Sequence, residues 1–375
     1  MRDMEYWIWL SSLEGMGPVK AMRLLEMYKN PQVVFGLSEH ELKNTGFLTL
    51  KNISELLDRS KRERTNSIYR LMLHYNIKMV NICDECYPNR LKHIYAPPIA
   101  LYYRGQFDYN SFSIAVVGSR RTTVYGSRAA RKLSYDLALR GVRVVSGLAR
   151  GIDSIAHTGC ISAGGKTTAV LGCGLDSIYP PENNRLFNDI IDSGGLILSE
   201  YPPGMPPLQH NFPARNRIIS GISSGVLVVE AAKRSGSLIT AGYALEQGRE
   251  VFAVPGNADS AYSRGTNQLI KDGAKLVLSV DDILEEFEYG EFLNSYSEAT
   301  GIQDTMNNKN LNLFKGLTTE EIKILKIILK GIHHIDEIIE RSNAAANTVA
   351  STLFMLEMKG VVCQEPGKMF VVSDS

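Results

Sequence analysis

Between residues 111 and 289 short apolar runs alternate with helical stretches. The runs are Ile114–Val117, Val142–Val145, Thr167–Leu171, Leu196–Leu198, Val226–Val229, Val251–Val254 and Lys275–Leu278. Strands this apolar, separated by helices, call for a parallel sheet covered on both faces. Of the 32 glycines, 21 lie between 111 and 289, many just after these runs. Glycine makes permissive loops, and open α/β sheets bind ligands at the carboxyl ends of their strands. The expected class is therefore α/β with a mainly parallel sheet and the functional site on that rim.

The flanks read differently. Residues 1–75 read as helical: Trp7, Trp9, Leu10 and Leu13 lead to a break at Glu14-Gly15-Met16-Gly17-Pro18, after which Val19, Met22, Leu24, Leu25 and Tyr28 recur at helical spacing. A helix–GxGP–helix unit resembles a helix-hairpin-helix, but the preferred reading is an αα corner in which Gly stops one helix and Pro starts the next. Residues 76–110 form a connecting segment with a strand-like Ile99–Tyr103, and 290–317 a polar linker. Residues 318–375 read as three helices and a hairpin, a winged helix, opened by a cap signature at Thr318 or Thr319 with Glu321.

At 375 residues the chain can bury a full core without disulfides or metal. No apolar run approaches the ~20 residues needed to cross a bilayer. The start, Met1-Arg2-Asp3-Met4-Glu5, lacks a signal-peptide core, and five cysteines suit a reducing compartment. A cytoplasmic location is expected, with no membrane partner. Cys83 and Cys86 form a CxxC, but no second pair follows at zinc spacing, so chance spacing is preferred and no metal is expected. The net charge of +1 divides as +3 over 1–110, +1 over 111–289 and −3 over 290–375. In the middle block 13 of 18 cations are Arg, which favours a few placed phosphate contacts. The acidic tail argues against nucleic-acid binding there, and its longest helix, read as Ala344–Lys359, offers only Asn347 and the terminal Lys359 to base edges.

Two stretches carry the chemistry. Val116-Val117-Gly118-Ser119-Arg120-Arg121 ends the first strand with small residues and two guanidinium groups. Phe212-Pro213-Ala214-Arg215-Asn216-Arg217 sets two more around an amide, beside an aromatic ring that could stack a base. The first is not GxGxxG, and Ser146-Gly147 stands where a ribose-binding acid belongs, so a dinucleotide cofactor is not expected. Gly164-Gly165-Lys166-Thr167-Thr168 fails as a Walker A loop, because Cys160 replaces the first Gly and Lys166 precedes a strand; by itself Lys166 reads as a solvated lysine. Asp153 and His157 are i,i+4 and are read as a structural helical pair. Glu200 and Glu230 both end strands; they could form a two-carboxylate site or orient the nearby Arg forks. Ser237, in Ser235-Gly236-Ser237, adds a further small polar loop.

The ordered motifs GSR, SGLARGID, GGKTTAVLGCGLDSIYPPEN, SEYPPG, FPARNRIISG, EAAKRSGSLITA and VFAVPGN, spanning about 113–287, resemble the DprA/Smf family of DNA-processing proteins. The resemblance implies an extended Rossmann fold over 111–289, flanked by a SAM-like helical domain and a winged helix. It implies single-stranded DNA binding and loading of the RecA recombinase during natural transformation, with no catalytic residue. Carried over, Gly118, Ser119, Arg120, Ser146, Gly147, Lys166, Phe212, Arg215, Asn216, Arg217 and Ser237 would line one DNA pocket, with the cations on phosphate. A homodimer is implied through Leu269–Leu276, with Ile270 and Leu276 as contacts. The alternative is a nucleotide phosphoribohydrolase, whose PGGxGT loop is only partly echoed by Pro255-Gly256-Asn257 and Gly265-Thr266.

Overall fold

The computed structural model describes residues 3–107, 111–287, 318–328, 332–342, 344–359, 361–365 and 367–372. The chain divides into two compact units, Met1–Ala299 and Thr300–Ser375. The expected linker at 290–317 lies outside the described residues.

In the first unit, helices α1 (Asp3–Ser12), α2 (Gly17–Tyr28), α3 (Pro31–Gly36), α4 (Glu39–Asn44), α5 (Leu50–Leu57) and α6 (Arg59–His74) precede the sheet. The corner at residues 13–16 joins α1 to α2, with Pro18 in the first turn of α2 and the Gly15 carbonyl accepting from Asn52 Nδ2 at 3.0 Å. Trp7, Trp9, Leu10, Leu24 and Leu56 form a core of their own. Ile8, Ile68 and Met72 turn instead onto Tyr102, Leu171 and Ile197 of the sheet. The Ser11 and Tyr102 hydroxyls lie 2.8 Å apart across that seam.

The sheet contains β1 (Lys78–Asn81), β2 (Ala100–Gly105), β3 (Ser113–Val117), β4 (Arg143–Ser146), β5 (Thr167–Leu171), β6 (Leu196–Ser199), β7 (Gly225–Val228), β8 (Glu250–Ala253) and β9 (Lys275–Leu276). Its order is β1-β2-β6-β5-β4-β3-β7-β8-β9. Strands β3 to β9 are mutually parallel, as their apolar runs require. Strands β1 and β2 are antiparallel and extend one edge. Residues 78–105 therefore do more than connect, since they contribute two strands to the same sheet. The helices between are α7 (Asn89–Lys92), α8 (Val124–Leu139), α9 (Ile152–Ser162), α10 (Asn184–Asp192), α11 (Asn211–Ile222), α12 (Gly236–Glu246), α13 (Arg264–Lys271) and α14 (Asp281–Leu284).

The alternation of side chains along each strand feeds two cores. Ile114, Val116, Val144, Leu227 and Phe252 face α8 and α9. Ala115, Val117, Val145, Val226 and Val228 face α11 and α12. The fold is thus an extended Rossmann sheet with helices on both faces.

In the second unit, helices Thr319–Ile328, Ile335–Ser342 and Ala346–Met358 pack around Leu325, Ile338, Val349 and Leu353. The hairpin β10 (Val362–Glu365) and β11 (Met369–Val372) completes a winged helix. Thr318 and Glu321 form the expected reciprocal cap, at 2.6 and 3.3 Å.

Phe252 is fully buried and packs beside Phe287. Phe252→Ala should cost about 3–5 kcal/mol of stability, read as a lower denaturant midpoint with an unchanged slope.

Candidate nucleic-acid interface

The strand order reverses beside β3. The chain leaves β3 for α8 on one face and leaves β7 for α12 on the other. Such a divergence opens a crevice at the carboxyl ends of the two strands. Arg120 and Arg121 stand exposed on the β3 side of it, Lys233 and Arg234 on the β7 side. The Arg120 guanidinium carbon sits 5.9 Å from the centre of the Phe212 ring. Phe212 rides on the first turn of α11, which Asn211 Nδ2 pins to the Gly172 carbonyl at 3.1 Å. A Cβ at Gly172 would come within 3.0 Å of the Phe212 ring, so glycine lets the ring lie against the end of β5. The Tyr179 ring joins it, 5.3 Å between centres and tilted by 42°. A cation above one aromatic face, with a second ring adjoining it, is a place for a phosphate beside a base.

Arg215 and Arg217 depart from the expectation that their forks meet phosphate. Both are buried, 4% and 7% exposed. Arg215 Nη1 donates to the Gly147 carbonyl at 2.9 Å and to the Val170 carbonyl, tying α11 to the ends of β4 and β5. Burial pulls Arg215 below its ordinary pKa, and the Asp153 charge opposes that shift. Arg217 makes a two-pronged pair with Glu200, at 2.8 and 2.6 Å, and donates to the Ala96 carbonyl at 3.1 Å. Burial works against the Arg217 charge, and Glu200 outweighs it and holds the pKa above the usual value. A guanidinium already matched this way must break internal bonds to reach a strand. These two residues shape the rim and leave the outward charge to their neighbours.

Lys166 also departs from the single pocket. Thr167 is level with Ile114, because both pair with Val144. Lys166 therefore sits at the amino-terminal rim, where its ammonium reaches Gln106 Oε1 at 3.3 Å. Arg120 follows the opposite end of β3, a strand about 17 Å long.

The remaining expected residues gather at the crevice, mostly as its frame. Ser119 N–H donates to the Glu230 carbonyl at 2.8 Å and its hydroxyl to the Arg121 carbonyl at 2.5 Å, so both donors serve the loop. Gly118 lies against Ile152, and the loop runs to residue 123 before α8 begins, so the amides of 118–120 belong to a loop and not to a helix start. Ser146 Oγ donates to the Val116 carbonyl at 2.7 Å. A Cβ at Gly147 would fall 2.6 Å from Arg215 Nη2 and 2.8 Å from Asp153 Oδ2, which explains glycine there. Asn216 Nδ2 reaches the Gly236 carbonyl at 3.4 Å, and Ser237 shares a 2.8 Å hydroxyl contact with Ser235, the cap of α12.

The acids are likewise engaged. Glu230 is buried and accepts from Thr123 N at 3.0 Å and from Thr123 Oγ1 at 2.5 Å, holding the start of α8, while Glu200 holds Arg217. Each is bound to its own partner rather than arranged as a catalytic pair. Asp153 accepts from the Gly147 and Ala149 N–H groups at 3.1 and 3.3 Å. Burial raises its pKa, while the Arg215 charge and those two N–H groups hold it down. His157 Nδ1 lies 2.7 Å from Thr167 Oγ1, whose own proton goes to the Val144 carbonyl at 2.7 Å. His157 must then donate from Nδ1. The Gly256 N–H donates to Asn267 Oδ1 at 3.1 Å and the Gly265 N–H to the Ala231 carbonyl at 2.7 Å, so the loop that partly echoes PGGxGT is closed by its own bonds. Among the described residues no group of three or more His, Cys, Asp or Glu could hold a metal.

The family model for DNA recombination-mediator protein A matches residues 78–288, and that for the DprA winged helix domain matches 315–368. The chain belongs to the DprA/Smf family. Protein Smf of Synechocystis is 36% identical over 98% of both chains. The crystal structure of DNA processing protein A from Streptococcus pneumoniae is 38% identical, covering 77% of this chain and 100% of that one, with a TM-score of 0.67. DNA processing protein A from Helicobacter pylori, whose structure addresses a single-stranded DNA binding mode, is 30% identical with a TM-score of 0.52, covering 57% of this chain and 96% of that one.

Tyr179, Lys233 and Arg234 did not figure among the expected site residues. The first is brought to Phe212 by the loop after β5, the others by the strand order. His157 supplies a check on the frame. Burial, then the Arg215 charge, pull its pKa from 6.5 to about 3. The unfolded chain binds a proton that the fold refuses, so this contribution is full above pH 6.5 and fades as pH falls towards 3. Urea unfolding of wild type should lose up to about 1.4 kcal/mol per pH unit in that window beyond His157→Gln. Parallel pH profiles for the two proteins would contradict the assignment.

Proposed function

We propose that this protein binds single-stranded DNA at the β3/β7 crevice without sequence preference and delivers it to the RecA recombinase, acting as a mediator rather than an enzyme in DNA recombination and natural transformation. The observation that carries the reading is the exposed Arg120 guanidinium poised over Phe212. Arg120, Arg121, Lys233 and Arg234 attract phosphates, and Phe212 and Tyr179 offer π-faces that accept any base. Gly118, Ser119, Ser146, Gly147, Asn216 and Ser237 shape the floor, and Arg215 and Arg217 lock it. Family membership and the single-stranded DNA binding mode described for the Helicobacter pylori relative support this reading. A cytoplasmic homodimer through the sheet edge accords with Leu276, 41% exposed on β9, and half-buried Ile270 on α13. The winged helix exposes Phe354, Met355 and Met358 on its longest helix, which suits protein contact better than duplex reading. No helix among the described residues is long and apolar enough to cross a membrane.

Gel shifts across a salt series test the site. Phe212→Ala should weaken single-strand binding by about 1–3 kcal/mol whatever the sequence. Arg120→Ala should weaken it and flatten the log–log salt slope by about 0.7. Folded variants that bind like wild type would refute the assignment.

A further inference from the structure

Beyond the crevice a groove of about 670 Å³ runs along α8, lined by Thr122, Ser127, Arg128, Arg131, Tyr135 and Ser162. It begins one residue after Arg121, on the carboxyl rim of the sheet. Helix α8 runs back along the sheet, and the far end of the groove lies at Ser162, the last residue of α9. The 16 residues of α8 reach about 24 Å. Arg128, Arg131 and Tyr135 recur at intervals of three and four and so share one face of the helix.

The charge along this track has one sign. From Arg121 to Tyr135 there are four cations and no acid. Lys132 is paired with Asp136 at 2.8 Å. Arg121, Arg128 and Arg131 are exposed and have no ion-pair partner among the described residues. A solvated helix face usually mixes both signs. Here two unpaired guanidinium groups flank a groove whose wall includes Tyr135, 39% exposed, and Val124, 71% exposed. The Ser127 and Thr122 hydroxyls, 2.8 Å apart, stand at its crevice end.

We propose that this groove is a second segment of the nucleic-acid path, in which a single strand leaving the crevice continues along α8 with its phosphates on Arg128 and Arg131. The proposal rests on the crevice being the DNA site. An acidic peptide would match the charge, but the exposed Tyr135 ring and the direct run from Arg120 and Phe212 favour a chain of phosphates and bases. Arginine forks fit phosphate oxygens in pairs, and aromatic rings accept bases without reading them. A strand held at both places would be kept extended across the helical layer.

The test uses the full-length protein, fluorescence anisotropy, and two thymidine oligonucleotides of about 6 and about 20 residues across a salt series. The double variant Arg128→Gln/Arg131→Gln, with an unchanged thermal midpoint, should bind the long oligonucleotide several-fold more weakly and flatten its salt slope by about 1.4. The short oligonucleotide, filling only the crevice, should bind both proteins alike. Arg120→Ala should weaken both lengths. If Arg120→Ala weakens both while the double variant matches wild type on the long strand, the groove proposal falls and the crevice stands. If Arg120→Ala changes neither length, the crevice reading fails first. Poly-L-glutamate bound by wild type and lost in the double variant, with long-strand affinity unchanged, would assign the groove to an acidic peptide and overturn the proposal.

Discussion

The rim of this sheet is organised by one buried guanidinium. Arg215 comes from α11, yet its donors end on the carbonyls of Gly147 and Val170, at the ends of β4 and β5. A cation removed from water must be matched by acceptors or by charge, and Asp153 stands nearby to complete the match. Removing one partner of such an arrangement costs about 3–5 kcal/mol, because the other is left buried and uncompensated. The start of α11 is thereby fixed against the strand ends. Phe212 sits one helical turn before Arg215 and is fixed with it, as is the surface over which Arg120 lies. The Arg217–Glu200 pair repeats the device two residues on and reaches across to Ala96.

The same residue type therefore does opposite work on one rim of the sheet. Inside, arginine exchanges its hydration for a fixed set of acceptors. Outside, Arg120 and Arg121 keep theirs and remain able to meet a polyanion. This division suits the proposed function. On that proposal, affinity would come from a few exposed charges and aromatic faces, placed by a buried frame of matched charges.

Much of this was legible in the sequence, for physical reasons. Short, continuously apolar runs, several of them followed closely by glycine, specify a doubly covered parallel sheet, and β3 to β8 fall where those runs lie. Strand β1 leaves little trace in the sequence, because Lys78–Asn81 is short and lies at an edge, with one fully buried residue. The motif at 118–120 and the aromatic at 212 were visible as a cation and a ring, and the fold brings them together. Arg215 and Arg217 were visible as guanidinium groups, but sequence does not say whether a cation is matched inside or outside. The nearest signal is Glu200, an acid at a strand end able to orient an Arg fork, and it does hold Arg217. By itself Lys166 reads as a solvated lysine, and only the family resemblance joins it to Arg120. One precedes its strand and the other follows, and in a parallel sheet that places them on opposite rims. Lys233 and Arg234 became part of the crevice only through the strand order, which places β7 beside β3.

The most direct test is a crystal structure with a short single-stranded oligonucleotide. The account requires a phosphate at the Arg120 guanidinium and a base against Phe212, with Arg215 still bonded to Gly147 and Val170 and the Arg217–Glu200 pair intact. Phosphates seated on Arg215 or Arg217, with that pair opened, or a strand gripped at the amino-terminal rim around Lys166, would contradict it.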